Sequence, residues 1–230
     1  MISWGRALMW FFIGASALFV WVLWPRTPEV PQDRPIGPVT AGKGIVVLGT
    51  SLSHKDWPQA LGADLTACGG DPGPITQITR PGADARWGIA QLDRVIAANP
   101  GLVLVEFAIN DADFLDGLSR TASREALVTI IQTLQQNLSG AQIAVMTMNP
   151  VTGIKRLQRP FLSEYYTIVR EEAEAQGVGL IDLEPRWALA FLKGVAGLPD
   201  GLHPQSADVG VVALPAITRS VAEGLGLSGC

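Results

Sequence analysis

Short apolar runs that alternate with helical stretches constrain this chain more than any other feature of its sequence. The runs are rich in Val, Ile and Leu, which is typical of strands buried on both faces. The strongest run, at residues 102–109, reads LVLVEFAI. Strands that alternate with helices form right-handed βαβ units, with a parallel sheet between two layers of helices. The sequence therefore predicts an α/β domain.

The predicted elements account for most of residues 43–230. Strands are expected at 44–49, 74–79, 102–109, 142–148 and 178–183, and helices at 57–67, 83–98, 122–138, 161–176 and 205–225. In open parallel sheets, ligands bind outside the carboxyl ends of the strands. The residues that follow each strand are therefore where functional side chains are expected.

The N-terminal segment is expected to be a membrane anchor. Residues 7–24 form an uncharged run of 18 residues with Trp near both ends. A membrane-spanning helix needs about 20 apolar residues, with a lower limit near 17, and indole rings favour the membrane–water interface. A cleaved secretory signal is the alternative, but Trp-Pro-Arg at the end of the run is a poor cleavage site. We therefore predict one transmembrane helix within residues 1–24.

The segment at residues 25–42 contains five prolines and is predicted to be an extended, semi-rigid linker. The folded domain would then begin at residue 43. Arg6 and Arg26 flank the anchor almost symmetrically, so charge barely determines its orientation. A very short N-terminal tail usually stays in the cytoplasm. This predicts a single-pass protein whose domain lies in the periplasm or elsewhere outside the cytoplasm.

The charge balance excludes one class of partner. The net charge is −4 at neutral pH, whereas nucleic-acid binding requires a basic surface. The two histidines and two cysteines are far apart and lack the spacing of metal ligands. No nucleic-acid partner, metal or cofactor is therefore expected.

Candidate functional residues follow four of the predicted strands or the stretches after them. They are Ser51, Gly82, Asn110 and the pair Asp200 and His203. Taken alone, each has a structural explanation as a helix cap or a turn residue. A carboxylate three residues before a histidine can also orient one ring nitrogen and leave the other free as a base. The order of these residues along one sheet edge therefore predicts a catalytic site.

Ser, Gly, Asn and Asp-x-x-His in this order resemble the SGNH (GDSL-type) hydrolase family over residues 43–230. The resemblance implies a three-layer α/β/α sandwich with a flavodoxin-like, five-stranded parallel sheet. It also implies that Ser51 is the nucleophile, His203 the general base and Asp200 the residue that orients it. The backbone N–H groups of Ser51 and Gly82 and the side chain of Asn110 would form the oxyanion hole.

Two positions depart from the family pattern. Thr50 replaces the Asp of Gly-Asp-Ser-Leu, and Ala108 replaces the Gly of Gly-x-Asn-Asp. Neither change removes a group that takes part in the reaction. Both leave the subfamily, and therefore the substrate, undetermined. His54 is a weaker candidate for the base, because no carboxylate lies at a matching spacing, and a structural role is the better explanation.

The two cysteines allow two interpretations. In the fold that the resemblance implies, Cys68 ends the first helix and Cys230 follows the last one, and both helices end at the same edge. A Cys68–Cys230 disulfide would fit an oxidising compartment. Two unrelated thiols fit the sequence equally well.

The leading hypothesis is a serine esterase that removes O-acyl groups, such as acetyl, from an envelope or exported carbohydrate. Trp57, Trp87 and Phe114 lie near the proposed catalytic blocks and could stack on sugar rings, although core packing explains them as well. An O-acyltransferase on polysaccharide and a lipid or thioester acylhydrolase are alternatives. A tethered, non-enzymatic polysaccharide-binding component is a third, which loss of a triad residue would have favoured.

Overall fold

The protein is described by a computed structural model that covers residues 29–228 and residue 230. In this part of the chain five strands form one sheet: β1 (Ile45–Gly49), β2 (Ile75–Thr79), β3 (Leu102–Glu106), β4 (Gln142–Thr147) and β5 (Gly179–Asp182). Their order is β2-β1-β3-β4-β5, and every neighbouring pair is parallel. This is the strand order of flavodoxin-like folds, so the predicted five-stranded parallel sheet is confirmed.

Helices cover both faces of the sheet. They are α1 (Trp57–Ala67), α2 (Ala85–Ile89), α3 (Leu92–Ala98), α4 (Ala108–Asp111), α5 (Arg120–Asn137), α6 (Gly153–Gln158), α7 (Leu162–Ala175), α8 (Glu184–Leu192), α9 (Ser206–Val212) and α10 (Leu214–Gly224). Helices α1, α9 and α10 pack together. Helices α2, α3 and α7 each pack against α5. Every residue of β1 and β3 is buried, because both faces of the central strands are covered.

Three predicted elements have different bounds in the structure. The single helix expected at 83–98 is two helices, and α2 ends soon after Gly88, a residue that weakens helices. The helix expected at 205–225 is divided at Ala213, because Pro215 lacks the N–H that would continue it. The strand expected at 102–109 ends at Glu106, and α4 follows. All four residues of α4 are buried, so apolarity alone could not separate it from the strand.

The Pro-rich segment from residue 32 onward packs on the domain, which corrects the expectation of a free linker up to residue 42. Arg34 pairs with Leu180 of β5 as an isolated antiparallel bridge. The side chain of Ile36 is only 6% exposed, and the Val39 N–H donates to the Gly224 carbonyl at 2.7 Å. An extended chain can still pair through its non-proline residues, and here it covers the β5 edge of the sheet. The folded unit therefore begins ahead of residue 43.

The predicted anchor at residues 1–24 lies outside the described residues. Within residues 29–228, no helix is both long enough and apolar enough to span a bilayer.

Cys68 and Cys230 form a disulfide, with their Cα atoms 5.5 Å apart, so the disulfide interpretation of the two cysteines is the one that the structure supports. Cys68 follows the last residue of α1, and α1 packs against α10. The bond therefore closes the chain at the edge of the sheet opposite the carboxyl ends of the strands.

Candidate active site

Ser51, His203 and Asp200 form a continuous chain of hydrogen bonds. The Ser51 hydroxyl oxygen lies 2.9 Å from His203 Nε2, and His203 Nδ1 lies 2.7 Å from Asp200 Oδ2. A carboxylate can only accept, so Nδ1 carries the hydrogen and Nε2 is left to accept from the serine hydroxyl. The sequence predicted these three residues, and the structure brings them together.

The loop that carries His203 is organised around the Asp200 carboxylate. Besides the histidine ring, it accepts the backbone N–H groups of Leu202 at 2.9 Å and His203 at 2.7 Å. Burial alone would raise the pKa of Asp200, but hydrogen bonds from the His203 backbone and ring and from Leu202 hold this pKa well below its usual value. Asp200 is therefore ionised at neutral pH, as a residue that orients an imidazole must be.

The segment after β4 supports the His203 loop, and no sequence pattern predicts this contact. Asn149 donates to the Leu202 carbonyl at 2.9 Å, and the Thr152 N–H donates to the Gly201 carbonyl at 2.9 Å. Gly201 has φ of +81°, and a Cβ there would lie 2.6 Å from the Thr152 carbonyl oxygen. Only glycine fits at this close approach of two loops.

Gly82 and Asn110 lie at the carboxyl ends of β2 and β3, on either side of β1 and Ser51. Gly82 is exposed, with φ of +75°. The buried Asn110 amide donates one hydrogen to the Ala83 carbonyl at 2.9 Å, which ties it to the loop that carries Gly82. An amide nitrogen has two hydrogens, so the second is left for another acceptor.

Asp111 links the helix that carries Asn110 to its neighbours, another contact that no sequence pattern predicts. Its carboxyl accepts the Ala85 N–H at 2.9 Å and the Ser123 hydroxyl at 2.6 Å, which links α4 to α2 and α5. Burial raises the pKa of Asp111 to about 6, although these two hydrogen bonds oppose the rise.

A second buried carboxyl lies under the nucleophile. Glu106, the last residue of β3, is only 2% exposed and accepts hydrogen bonds from Thr50, the residue before Ser51. Burial raises the pKa of Glu106 to about 7, against the opposing effect of the Thr50 backbone hydrogen bond. A single acidic residue in an apolar strand was the sequence signal that could have revealed it.

The remaining candidates have different environments. His54 is exposed and its Nδ1 lies 2.9 Å from the Thr79 hydroxyl, in agreement with a structural role. Trp57 is buried, and its indole donates to the Leu52 carbonyl at 3.0 Å, so it belongs to the core. Trp87 packs edge-on against Phe107, whereas Phe114 is 64% exposed. Among the described residues, no cluster of three or more His, Cys, Asp or Glu could hold a metal ion.

In serine hydrolases, the serine hydroxyl is hydrogen-bonded to a histidine, and a carboxylate orients that histidine. The same arrangement is present here. The model of the GDSL-like lipase/acylhydrolase family matches residues 39–207, more than half of the chain. The chain therefore belongs to this family, whose members are serine esterases and acylhydrolases. The predicted resemblance to SGNH hydrolases is thus confirmed.

Solved structures of this family share the fold. The lipase/acylhydrolase from Enterococcus faecalis has a TM-score of 0.68 at 20% identity, over 81% of this chain and 99% of that one. The acetylxylan esterase Axe2 from Geobacillus stearothermophilus has a TM-score of 0.67 at 16% identity, over 83% of this chain and 97% of that one. No curated protein matches the sequence.

Proposed function

We propose that this protein hydrolyses O-acyl esters, acetyl esters in particular, on a carbohydrate, with Ser51 as nucleophile. The observation that carries the proposal is the hydrogen-bonded chain from Ser51 Oγ through His203 to Asp200, with distances of 2.9 and 2.7 Å. A serine hydroxyl is a poor nucleophile until a base removes its proton. The free Nε2 of His203 is in position to do so.

The reaction proceeds in two halves on this geometry. Ser51 Oγ attacks the ester carbonyl carbon while its proton passes to His203 Nε2, and Asp200 stabilises the imidazolium through Nδ1. The tetrahedral oxyanion accepts hydrogen bonds from the Ser51 and Gly82 N–H groups and from the second Asn110 hydrogen. His203 then returns its proton to the leaving alcohol, and an acyl-serine remains. Water attacks this acyl group while its proton passes to His203 Nε2. His203 then returns the proton to Ser51 Oγ, which leaves as the free hydroxyl, and the acid is released.

The exposure of the site favours a bulky substrate with a small acyl group. The side chains of His203 and Asp200 are 31% and 53% exposed, so the triad lies at an open surface that a polymer can approach. The acetylxylan esterase among the similar structures is named for an acetylated polysaccharide. Both observations support an O-acetylated carbohydrate over a long-chain lipid ester or a thioester.

The proposal places the enzyme on a membrane, with the domain outside the cytoplasm. Its support is the uncharged run at residues 7–24 and the Cys68–Cys230 disulfide, which suits an oxidising compartment. Protease added to spheroplasts should digest the domain of the full-length chain, while a cytoplasmic marker survives. Survival of the domain until the membrane is lysed would contradict this location.

The activity is tested with the full-length chain in mild detergent. We expect hydrolysis of p-nitrophenyl acetate and release of acetate from acetylated xylan, both lost in Ser51→Ala. Long-chain p-nitrophenyl esters and acyl-CoA should turn over more slowly. A preference for those substrates would contradict the carbohydrate proposal, and transfer of acetyl to a sugar in place of water would make the protein a transferase. Activity that persists in Ser51→Ala would rule out the proposed nucleophile.

A further inference from the structure

The residue before the nucleophile is fixed by a buried carboxyl. The Thr50 N–H donates to Glu106 Oε1 at 2.6 Å, and the Thr50 hydroxyl lies 2.9 Å from Oε1 and 3.1 Å from Oε2. Both residues are buried. Hydrogen bonds to a buried, ionisable acceptor are among the stronger ones in proteins. Both the backbone and the side chain of Thr50 are thus bound to the Glu106 carboxyl.

Thr50 also holds the residues on the far side of Ser51. Its hydroxyl accepts the Leu52 N–H at 3.2 Å, and its carbonyl accepts the N–H groups of Ser53 at 3.3 Å and His54 at 3.0 Å. Ser51 therefore lies in a turn in which Thr50 is hydrogen-bonded to the three residues that follow Ser51. Any rotation of Thr50 would move the Ser51 Oγ relative to His203.

The Glu106 carboxyl is itself held in place by the strand beside it. Gly49 pairs with Glu106 in the register of β1 and β3, and a Cβ on Gly49 would lie 2.4 Å from Glu106 Oε1. A side chain at position 49 would push the carboxyl away from Thr50. The sequence Gly49-Thr50-Ser51 is therefore matched to a glutamate at position 106.

We propose that Glu106 and Thr50 act as a positioning pair that holds the Ser51 turn in the orientation required for attack. The inference rests on the proposed role of Ser51 as nucleophile. Neither residue contacts the substrate, so their effect is expected in kcat and not in KM. The pair also accounts for Thr50, which stands where the family pattern has an aspartate, since its hydroxyl can donate to a carboxylate and an aspartate cannot.

The charge of Glu106 is affected by few other ionisable groups. Asp111 raises the pKa of Glu106 by repulsion, in addition to the larger effect of burial. Burial raises the pKa of the Tyr166 hydroxyl, and the charges of Glu184 and Glu106 add to that rise. The Thr50 N–H and O–H groups and the Ser53 side chain lower the pKa of Glu106. These contacts therefore favour the ionised, better accepting form.

The test compares two substitutions of Thr50 in the full-length chain. Thr50→Val has nearly the same shape but no hydroxyl, and Thr50→Ser keeps the hydroxyl. Loss of the buried hydrogen bond to the Glu106 carboxyl predicts a kcat about 10- to 100-fold lower in Thr50→Val, with KM little changed. Thr50→Ser should recover most of that loss. Thr129→Val, on an exposed face of α5, is the matched control for replacing a threonine.

Glu106→Gln keeps an acceptor oxygen but removes the charge, so its kcat should fall as well. Because both residues act through one contact, the double variant with Thr50→Val should lose less than the product of the single losses. The rate at which a fluorophosphonate labels Ser51 gives the same comparison without an ester substrate. Circular dichroism shows whether each variant is folded.

The outcomes separate the two hypotheses. A folded Thr50→Val with wild-type kcat and labelling rate overturns the positioning pair, as do fully multiplicative losses in the double variant. If Thr50→Val does not fold, an unchanged kcat in Glu106→Gln has the same meaning. Wild-type protein without Ser51-dependent turnover overturns the proposed function instead, and the labelling rates then still decide whether the pair positions Ser51.

Discussion

Asn110 uses one amide hydrogen to hold the Ala83 carbonyl, at 2.9 Å from its Nδ2, and the other is proposed to meet the oxyanion. We expect Asn110→Ala to lower kcat about 100- to 1,000-fold, the usual effect of losing one oxyanion donor. KM for p-nitrophenyl acetate should change little, because the interaction forms in the transition state. Steady-state kinetics with circular dichroism as a folding control would check this, and near-normal turnover would refute the assignment.

Glu106 makes stability depend on pH in a direction opposite to that of an ion-paired acid. Burial raises its pKa from 4.5 to about 7 in the folded protein. Below pH 4.5 the Glu106 carboxyl is protonated in both the folded and the unfolded state, so no charge is buried on folding. As the pH rises through 7, the folded state must hold a buried charge that the unfolded state exposes to water, and stability is lost.

The expected size of this effect follows from the pKa difference. Between pH 4 and pH 8.5, the free energy of unfolding of the wild type should fall by about 3 kcal/mol relative to Glu106→Gln. Urea unfolding of both proteins at the two pH values measures it. Parallel pH dependence in the two proteins would show that Glu106 does not titrate as proposed. Asp111, with its pKa raised to about 6, contributes in the same direction in both proteins.

The residues of the site differ in how readily the sequence reveals them. Ser51 and His203 could be predicted because, together with Gly82, Asn110 and Asp200, they stand in the order of the SGNH pattern, although each alone is explained as a cap or turn residue. Glu106 is visible as a single acid in an apolar strand, but its partner Thr50 is not, and Asn149 gives no signal, because both residues act through groups of another loop. Such contacts depend on how loops approach one another in space, which spacing along the chain does not encode.

At the scale of elements, the strands were predicted well because burial on both faces leaves a continuous apolar signal, as in β1 and β3. Helix ends were predicted less well. The break at Ala213 was recoverable from Pro215, whereas the end of β3 was hidden because the buried helix α4 continues the same apolar run. The packing of the segment near Ile36 was not predicted either, because its many prolines are typical of exposed, extended chain.

That N-terminal segment should contribute measurably to stability. Ile36 is buried, and Asp33 accepts the Asp182 N–H at 2.9 Å and pairs with Arg186. Burial of one Ile and a few hydrogen bonds predict that a chain starting at residue 43 is about 2–4 kcal/mol less stable than one starting at residue 29.

Urea unfolding of the two truncated chains measures this difference. Ile36→Ala in the longer chain is the control for the apolar part, and it should lose about 2–4 kcal/mol. Equal unfolding midpoints for the two chains would mean that the segment is only loosely attached to β5. Both chains should keep the Ser51–His203 contact, because the backbone hydrogen bonds that the segment makes to Leu180 and Gly224 lie on β5 and α10, away from Ser51 and His203.

In the whole molecule, the two ends of the parallel strands carry different features. The loops at the carboxyl ends of the strands carry Ser51, Asn110 and His203. Ser51 is hydrogen-bonded to His203, and Asn110 is hydrogen-bonded to the loop that carries Gly82. The disulfide between Cys68 and Cys230 lies at the amino ends of the strands. The 11 residues of α1 separate the two ends by about 16 Å. Stability can therefore be changed at one end without altering the geometry at the other.

The disulfide tests this separation. It joins residues 162 positions apart, and a bond that closes so long a loop restricts the unfolded chain strongly. We expect the double variant Cys68→Ser/Cys230→Ser to be about 2–4 kcal/mol less stable in urea, with kcat and KM for p-nitrophenyl acetate unchanged at 25 °C. Wild-type protein treated with a reductant should match it. Equal stability would mean that the bond adds little constraint, and a fall in kcat in the folded variant would show that the two ends are coupled.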